Sequence, residues 1–247
     1  MTRADVETIE RATVAAVAPR ETLEIGGWLV ALDPGTIRRA GSAVPLSHDL
    51  EPDVEILDAI EAAYGERGLA PAFRIADAPG LQGVREELTR RGYRSEQPTL
   101  VKIGNAAGMI AAARGEPAPV AAAPDAGWAQ VFTSEGFDPA DGASRVAALT
   151  RSPDAVYGGV AQGGRTLAVG AAAFGHGWAS VHGMRTDKAR RGEGLAGRVL
   201  AGLAHAAQGR GIEHVFLQVE EANEGARSLY RRCGFQRAWR YLYWSKG

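Results

Sequence analysis

One cysteine, Cys233, in 247 residues excludes an internal disulfide, and five scattered histidines show no ligand spacing, so neither a cross-link nor a structural metal is expected. Charge of one sign is also missing. Lys and Arg number 28 against 29 Asp and Glu, a formal net charge of -1, which removes the basic field that nucleic acid or anionic lipid would need. No apolar run approaches the ~20 residues of a membrane span. The opening MTRADVETIERATV is polar and acidic, without the apolar segment of an export signal. These absences lead to the expectation of a soluble, cytoplasmic protein with no nucleic-acid and no membrane partner. Because 45% of residues are apolar, the chain can bury a sizeable core in one large domain or two small ones.

Glycine, by contrast, is plentiful, and it punctuates an order of elements that occurs twice. Residues 4–17 read as an amphipathic helix, followed by GGWLVALDPGTIRRAGSAVPL, two strand-like runs joined at Asp33-Pro34-Gly35. Helical VEILDAIEAAYGERG, strand-like APAFRI, helical GLQGVREELTRRG and strand-like QPTLVKIG come next. An Ala-, Gly- and Pro-rich connector at 104–124 has little periodicity beyond one possible strand. Beyond it lie helical stretches near 126–134 and 139–150 and a meander turning at Gly163-Gly164 and Gly175-His176-Gly177. Helix 195–208, strand HVFLQV, helix 224–232 and strand AWRYLYW follow. GVREELTRRGY (83–93) lies over GARSLYRRCGF (225–235), so the expected division is a first lobe at 1–107, a linker at 108–117 and a second lobe at 118–247.

The second lobe places ARRGEGLAG between a strand at 178–186 and a helix. Bare amides at a helix start, with the dipole behind them, attract anions, and glycines let a phosphate approach the backbone. Arg190, Arg191 and Arg198 add charge nearby. On spacing alone, a glycine-rich turn with solvated arginines fits equally well.

RGEGLA further resembles the Arg/Gln-x-x-Gly-x-Gly/Ala loop by which the GNAT superfamily of acyl-CoA N-acyltransferases binds the pyrophosphate of coenzyme A, with Arg191, Gly194 and Ala196 at its fixed positions. LQVEEANEGARSLYRRCGF resembles that superfamily's later series, with Asn223, Ala226, Leu229, Tyr230, Gly234 and Phe235 in place. Thr186-Asp187-Lys188 departs from the Val-x-Pro of many members. The first half resembles two-lobed GNAT proteins. Its overlay puts His48, Glu51 and Asp53 against Arg191, Gly194 and Ala196, and Leu81 and Leu88 against Asn223 and Tyr230. Carboxylates would repel a pyrophosphate there, so the first lobe is expected to keep the scaffold without the chemistry.

The resemblance implies an α+β fold of two tandem lobes, each a mostly antiparallel sheet with flanking helices. It also implies an N-acetyltransferase passing the acetyl group of acetyl-CoA, its co-substrate, to a primary amine by direct attack through a tetrahedral intermediate. The pyrophosphate would lie on Arg190, Arg191, Gly192, Glu193, Gly194, Leu195 and Ala196. Backbone groups of Met184, Arg185 and Thr186 would hold the pantetheine arm as a sheet edge holds a peptide. Asn223 and Ala226 would touch the cofactor, and Tyr230 would protonate the departing sulfur. For the general base the candidates are His182 and Glu220 or Glu221, each equally readable as a strand histidine or as dipole compensation. Cys233 reads as buried packing, and Trp28, Trp178, Trp239 and Trp244 as core. Arg38 and Arg39 read as solvated edge-strand charges or as contacts to a substrate carboxylate. The acceptor is a small-molecule or peptide amine and the protein a monomer or homodimer. A non-catalytic acyl-CoA-binding or regulatory module is the alternative.

Overall fold

In the computed structural model, which describes residues 2–134 and 137–246, helix α1 (Arg3–Val17) leads into strands β1 (Glu21–Ile25), β2 (Trp28–Leu32) and β3 (Ala43–Pro45). Then come α2 (Val54–Gly65), β4 (Ala72–Ala76), α3 (Gln82–Arg90) and β5 (Arg94–Asn105). The connector holds a short helix, α4 (Ala106–Ala111), and strand β6 (Val120–Ala121). Helices α5 (Ala126–Gln130) and α6 (Pro139–Leu149) precede β7 (Ala155–Gln162), β8 (Arg165–Gly175) and β9 (Trp178–Thr186). The chain closes with α7 (Leu195–Gln208), β10 (His214–Glu220), α8 (Glu224–Arg232) and β11 (Gln236–Ser245). Side chains fix several helix starts. Thr2 and Asp5 form a capping box on α1, Asp138 stands before Pro139 of α6, and Asn223 accepts from the Ala226 N–H ahead of α8.

The first half departs from the expected order of elements. Strand β1 is additional to that order, since half-polar ETLEI carries no clear strand pattern; it lies at the edge with mostly exposed residues and pairs with β2 through a turn at Gly26-Gly27, both at positive φ. Strands β2 and β3 are antiparallel as expected, yet no tight turn at Asp33-Pro34-Gly35 joins them. The connection instead folds into a 3-10 turn at Arg38–Gly41, which lifts Arg38 and Arg39 off any sheet edge.

Among the described residues, eleven strands form one sheet, ordered β1-β2-β3-β4-β11-β5-β10-β9-β8-β7-β6. Pairings are antiparallel except β3 with β4 and β9 with β10, one parallel pair in each half. The matching elements α3 and α8 start at Gln82 and Glu224, and β5 and β11 at Arg94 and Gln236, the same 142 residues apart each time. The last strands change places: β11 pairs with β4, and β5 pairs with β10. Packing follows the exchange. Trp239, Tyr241, Tyr243 and Trp244 of β11 are buried in the first half's core with Phe73, Ile75 and Leu88, whereas Leu100 of β5 joins Val199, Leu217 and Tyr230 in the second.

Helix α7 covers one face of the second half, where Val199 and Leu203 meet Val181, Leu217 and Val219. Helix α1 crosses β8 and β9 on the opposite face, with Trp178 donating to Thr8 Oγ1 and Gln218 to Thr13 Oγ1. Among the described residues, no helix is long and apolar enough to cross a membrane, and no group of three or more His, Cys, Asp and Glu could hold a metal ion.

Candidate active site

Strands β9 and β10 run side by side only as far as Val181, paired with Leu217, although β9 continues to Thr186 and β10 to Glu220. A bulge opposite Gly170 bends β9 away: the register with β8 shifts between Val169 and Ala171, and Gly183 takes φ +58°. Met184, Arg185 and Thr186 therefore keep β8 on one side, where Arg185 faces Val169 and Thr186 faces Ala168, and have no strand partner on the side toward β10. The result is a cleft between β9 and β10. An extended amide-bearing chain can take the place of the missing strand.

The cleft leads to the start of α7. Gly194 is the N-cap residue at φ +80° with no side-chain cap, Gly192 lies at φ +86°, and the first turn holds no acidic residue. Among the described residues the N–H groups of Gly192, Glu193, Gly194, Leu195 and Ala196 have no hydrogen-bond partner. A Cβ added at Gly192 would meet nothing within 4 Å, and one at Gly194 only the Cβ of Arg114 at 4.0 Å. This is an open, uncapped helix terminus with glycine-lined access, suited to a diphosphate. The corresponding helix of the first half closes itself off. Asp53 caps α2 and accepts from the N–H groups of Glu55 and Ile56, with the Glu55 side chain adding negative charge in the first turn.

The arginines divide. Arg190 is held by Glu193 at 2.6 Å and by Gln162, and Arg198 donates to the Glu116 carbonyl. Arg191 is exposed with no partner among the described residues. Arg114, from the connector, stands beside Gly194 equally free, a cation that the sequence reading missed because only the fold brings residues 114 and 194 together.

Tyr230 sits in the core under α7 and α8, 6% exposed, its ring edge-on to Phe235 at 5.9 Å. Its hydroxyl has no hydrogen-bond partner among the described residues, and burial, with Cys233 adding to it, pushes its pKa up to about 12, so it keeps its proton at neutral pH. Asn223 spends Oδ1 on the Ala226 N–H, which is its capping role. Cys233 is buried, its thiol pushed up by burial, which disfavours a nucleophilic thiolate. The five tryptophans pack in cores or against neighbouring aromatics.

On the α1 face, His182 is buried with Nδ1 3.5 Å from Ser180 Oγ and Nε2 without a partner. Burial, and then the charge of Arg39, lowers its pKa to about 3. A neutral ring of such low basicity is a poor proton acceptor. Glu220 is exposed at the end of β10, bonded to Gln97 Nε2 at 2.8 Å, and Glu221 is paired with Arg240. Arg39, half-buried, donates to Gln218 Oε1 at 3.2 Å, and Arg38 reaches Glu96 and Gln97 while covering the Tyr243 ring. Neither is a solvated edge charge: the 3-10 turn lays both over the sheet.

The chain resembles solved proteins over nearly its whole length. A GCN5-related N-acetyltransferase from Kribbella flavida matches at 18% identity with TM-score 0.71, covering 98% of this chain and 95% of that one. A functionally unknown conserved protein from Staphylococcus epidermidis ATCC 12228 matches at 10% identity with TM-score 0.70, covering 94% and 95%. A tandem GNAT protein from the clavulanic acid biosynthesis pathway matches at 14% identity with TM-score 0.64, covering 98% and 88%. At these identities the likeness concerns the fold. No curated protein matches the sequence. The family model described as "Probable histone acetyltransferase Rv0428c C-terminal" matches residues 3–244. With that span matched and a two-lobed GNAT fold around the cleft, the chain belongs to this family of GNAT acetyltransferases.

Proposed function

We propose that the protein is an acetyl-CoA-dependent N-acetyltransferase whose one active centre lies in the second half, with the first half supplying a wall of the acceptor groove. One observation supports the reading: β9 and β10 part beyond Val181 and Leu217 in the half that also holds an uncapped, glycine-lined helix terminus and the unpartnered hydroxyl of Tyr230. Acetyl-CoA supplies an acetyl thioester when bound. The amides from Gly192 to Ala196, with Arg191 and Arg114, hold its diphosphate, and the free edge of Met184, Arg185 and Thr186 holds its arm. An amide of that edge polarises the thioester carbonyl, a contribution of about 3 kcal/mol for a donor of this kind.

The acceptor amine approaches from the α1 face. Glu220, acting through water, takes the proton that an ammonium must lose. The amine nitrogen then bonds to the carbonyl carbon, giving a tetrahedral adduct that gives up its surplus N–H proton to water; as the C–S bond breaks, the sulfur leaves with the hydroxyl proton of Tyr230, which is restored from solvent. His182 has the wrong basicity for the base, and we assign it to the groove wall as a hydrogen-bonding group.

Tyr230→Phe tests the reading. Turnover with a good acceptor should fall about 100-fold, the usual weight of a positioned acid, while acetyl-CoA affinity by calorimetry stays within a factor of two to three. Unchanged turnover removes Tyr230 from the mechanism. Acetyl-CoA bound without thiol release to any amine would leave a binding module instead.

A further inference from the structure

On the α1 face of the sheet, two opposite charges, Arg39 and Glu220, form no ion pair among the described residues. Arg39 uses one hydrogen bond, to the neutral Gln218, and forms no ion pair among the described residues. Its neighbours do pair: Arg38 with Glu96, Arg74 with Glu10, and Arg240 with Asp77 and Glu221. Glu220 likewise holds only the amide of Gln97. Gln218 is fixed in turn, accepting from Tyr241 Oη at 2.8 Å and donating to Thr13 Oγ1 at 2.9 Å, so Arg39 is presented from a stiff mount.

Gln218 and Glu220 are two residues apart on β10 and so point to the same face, about 7 Å apart along the strand. Both stand where β10 has parted from β9, next to the cleft. Across it, His182 is buried with Nε2 unpartnered, and the Tyr230 hydroxyl is unpartnered too. The charge of Arg39 is felt at both. The buried carboxylate of Glu10 feels the charge of Arg39 but is bonded to Arg74, and no ion pair between Glu10 and Arg39 is present among the described residues, so the Arg39 guanidinium keeps donors free for a visiting anion. A plain alkyl ammonium entering this groove meets Arg39 as like charge.

We propose that the acceptor is an amino-acid-like zwitterion, its carboxylate held by Arg39 and its amine beside Glu220. This rests on the acetyltransferase reading above and narrows it to amines that carry a carboxylate a few bonds away, in preference to polyamines and protein lysines. Arg39 acts as a specificity residue supplied by the first half to a reaction carried out in the second.

The test is thiol release from acetyl-CoA with a panel of L-amino acids, each beside its α-amide and its decarboxylated amine. At least one amino acid should exceed both counterparts in kcat/KM by roughly 10- to 100-fold, the range expected for a charge-assisted hydrogen bond. Arg39→Met should collapse that preference, mainly through KM, and Arg39→Lys should keep part of it. Calorimetry with acetyl-CoA verifies that both variants are folded. Best acceptors that lack a carboxylate, or a preference that survives in Arg39→Met, overturn the proposal and leave the acetyltransferase reading standing. A panel silent throughout with acetyl-CoA still bound also overturns it. Failure of the native protein to bind acetyl-CoA would instead overturn the reading beneath.

Discussion

Replacing Gly194 with Asp would give α7 the cap that α2 already has. In α2 the carboxylate of Asp53 accepts from two amides of the first turn at 3.0 and 3.2 Å, and a carboxylate at 194 should take the equivalent amides of α7. The effect on stability is small, since an Asp N-cap contributes about 1 kcal/mol and the left-handed backbone at φ +80° costs a non-glycine residue about 1–2 kcal/mol. Binding of a diphosphate, however, loses those amides and meets a like charge. A unit charge about 5 Å away at an effective dielectric near 20 gives about 3 kcal/mol of repulsion, or some 100-fold to 300-fold in affinity before any lost hydrogen bond is added. Calorimetry with acetyl-CoA and a thermal melt of the same samples separate the two effects. If Gly194→Asp binds acetyl-CoA within threefold of the native protein while melting normally, the diphosphate does not sit at this helix terminus.

Arg114→Ala should weaken acetyl-CoA binding by up to about fivefold, the upper end for an exposed charge. The loss should shrink as salt is raised, and a titration series in salt measures it. His182→Gln should flatten the acid side of the stability profile. The histidine's pKa falls from an unfolded 6.5 to about 3, so the unfolded state binds the extra proton between those values. Its stabilising contribution is complete above pH 6.5 and is lost as pH falls toward 3, by several kcal/mol in all. Denaturant melts of native protein and variant at pH 4 and pH 7 would show parallel losses if His182 were solvated.

The uncapped start of α7 was legible because its signals are local. Glycines at 192 and 194, no acid in the next turn, and Asn223 seven residues before Tyr230 mark a bare helix start and a common helix face within short windows of sequence. Helices α7 and α8 fall at 195–208 and 224–232 as read. The cluster of Arg39, Gln218 and Thr13 was not legible, because these residues meet only through tertiary packing. Arg38 and Arg39 were misassigned in part because DPG resembles a tight turn, whereas the chain runs on to a 3-10 turn that folds over the sheet. The exchange of β5 and β11 was also invisible. Each strand follows a matching helix and carries its own apolar residues, and strand periodicity states which side of a strand is buried, never which neighbour it will choose.

That exchange constrains how the molecule comes together. While residues 236–245 are missing, β4 has an unpaired edge and the surrounding core lacks four aromatic side chains. The core of the first half is therefore complete only once the final strand is in place. Damage at the tail is therefore felt at the head, and the two halves are tied by a continuous backbone ladder instead of a hinge.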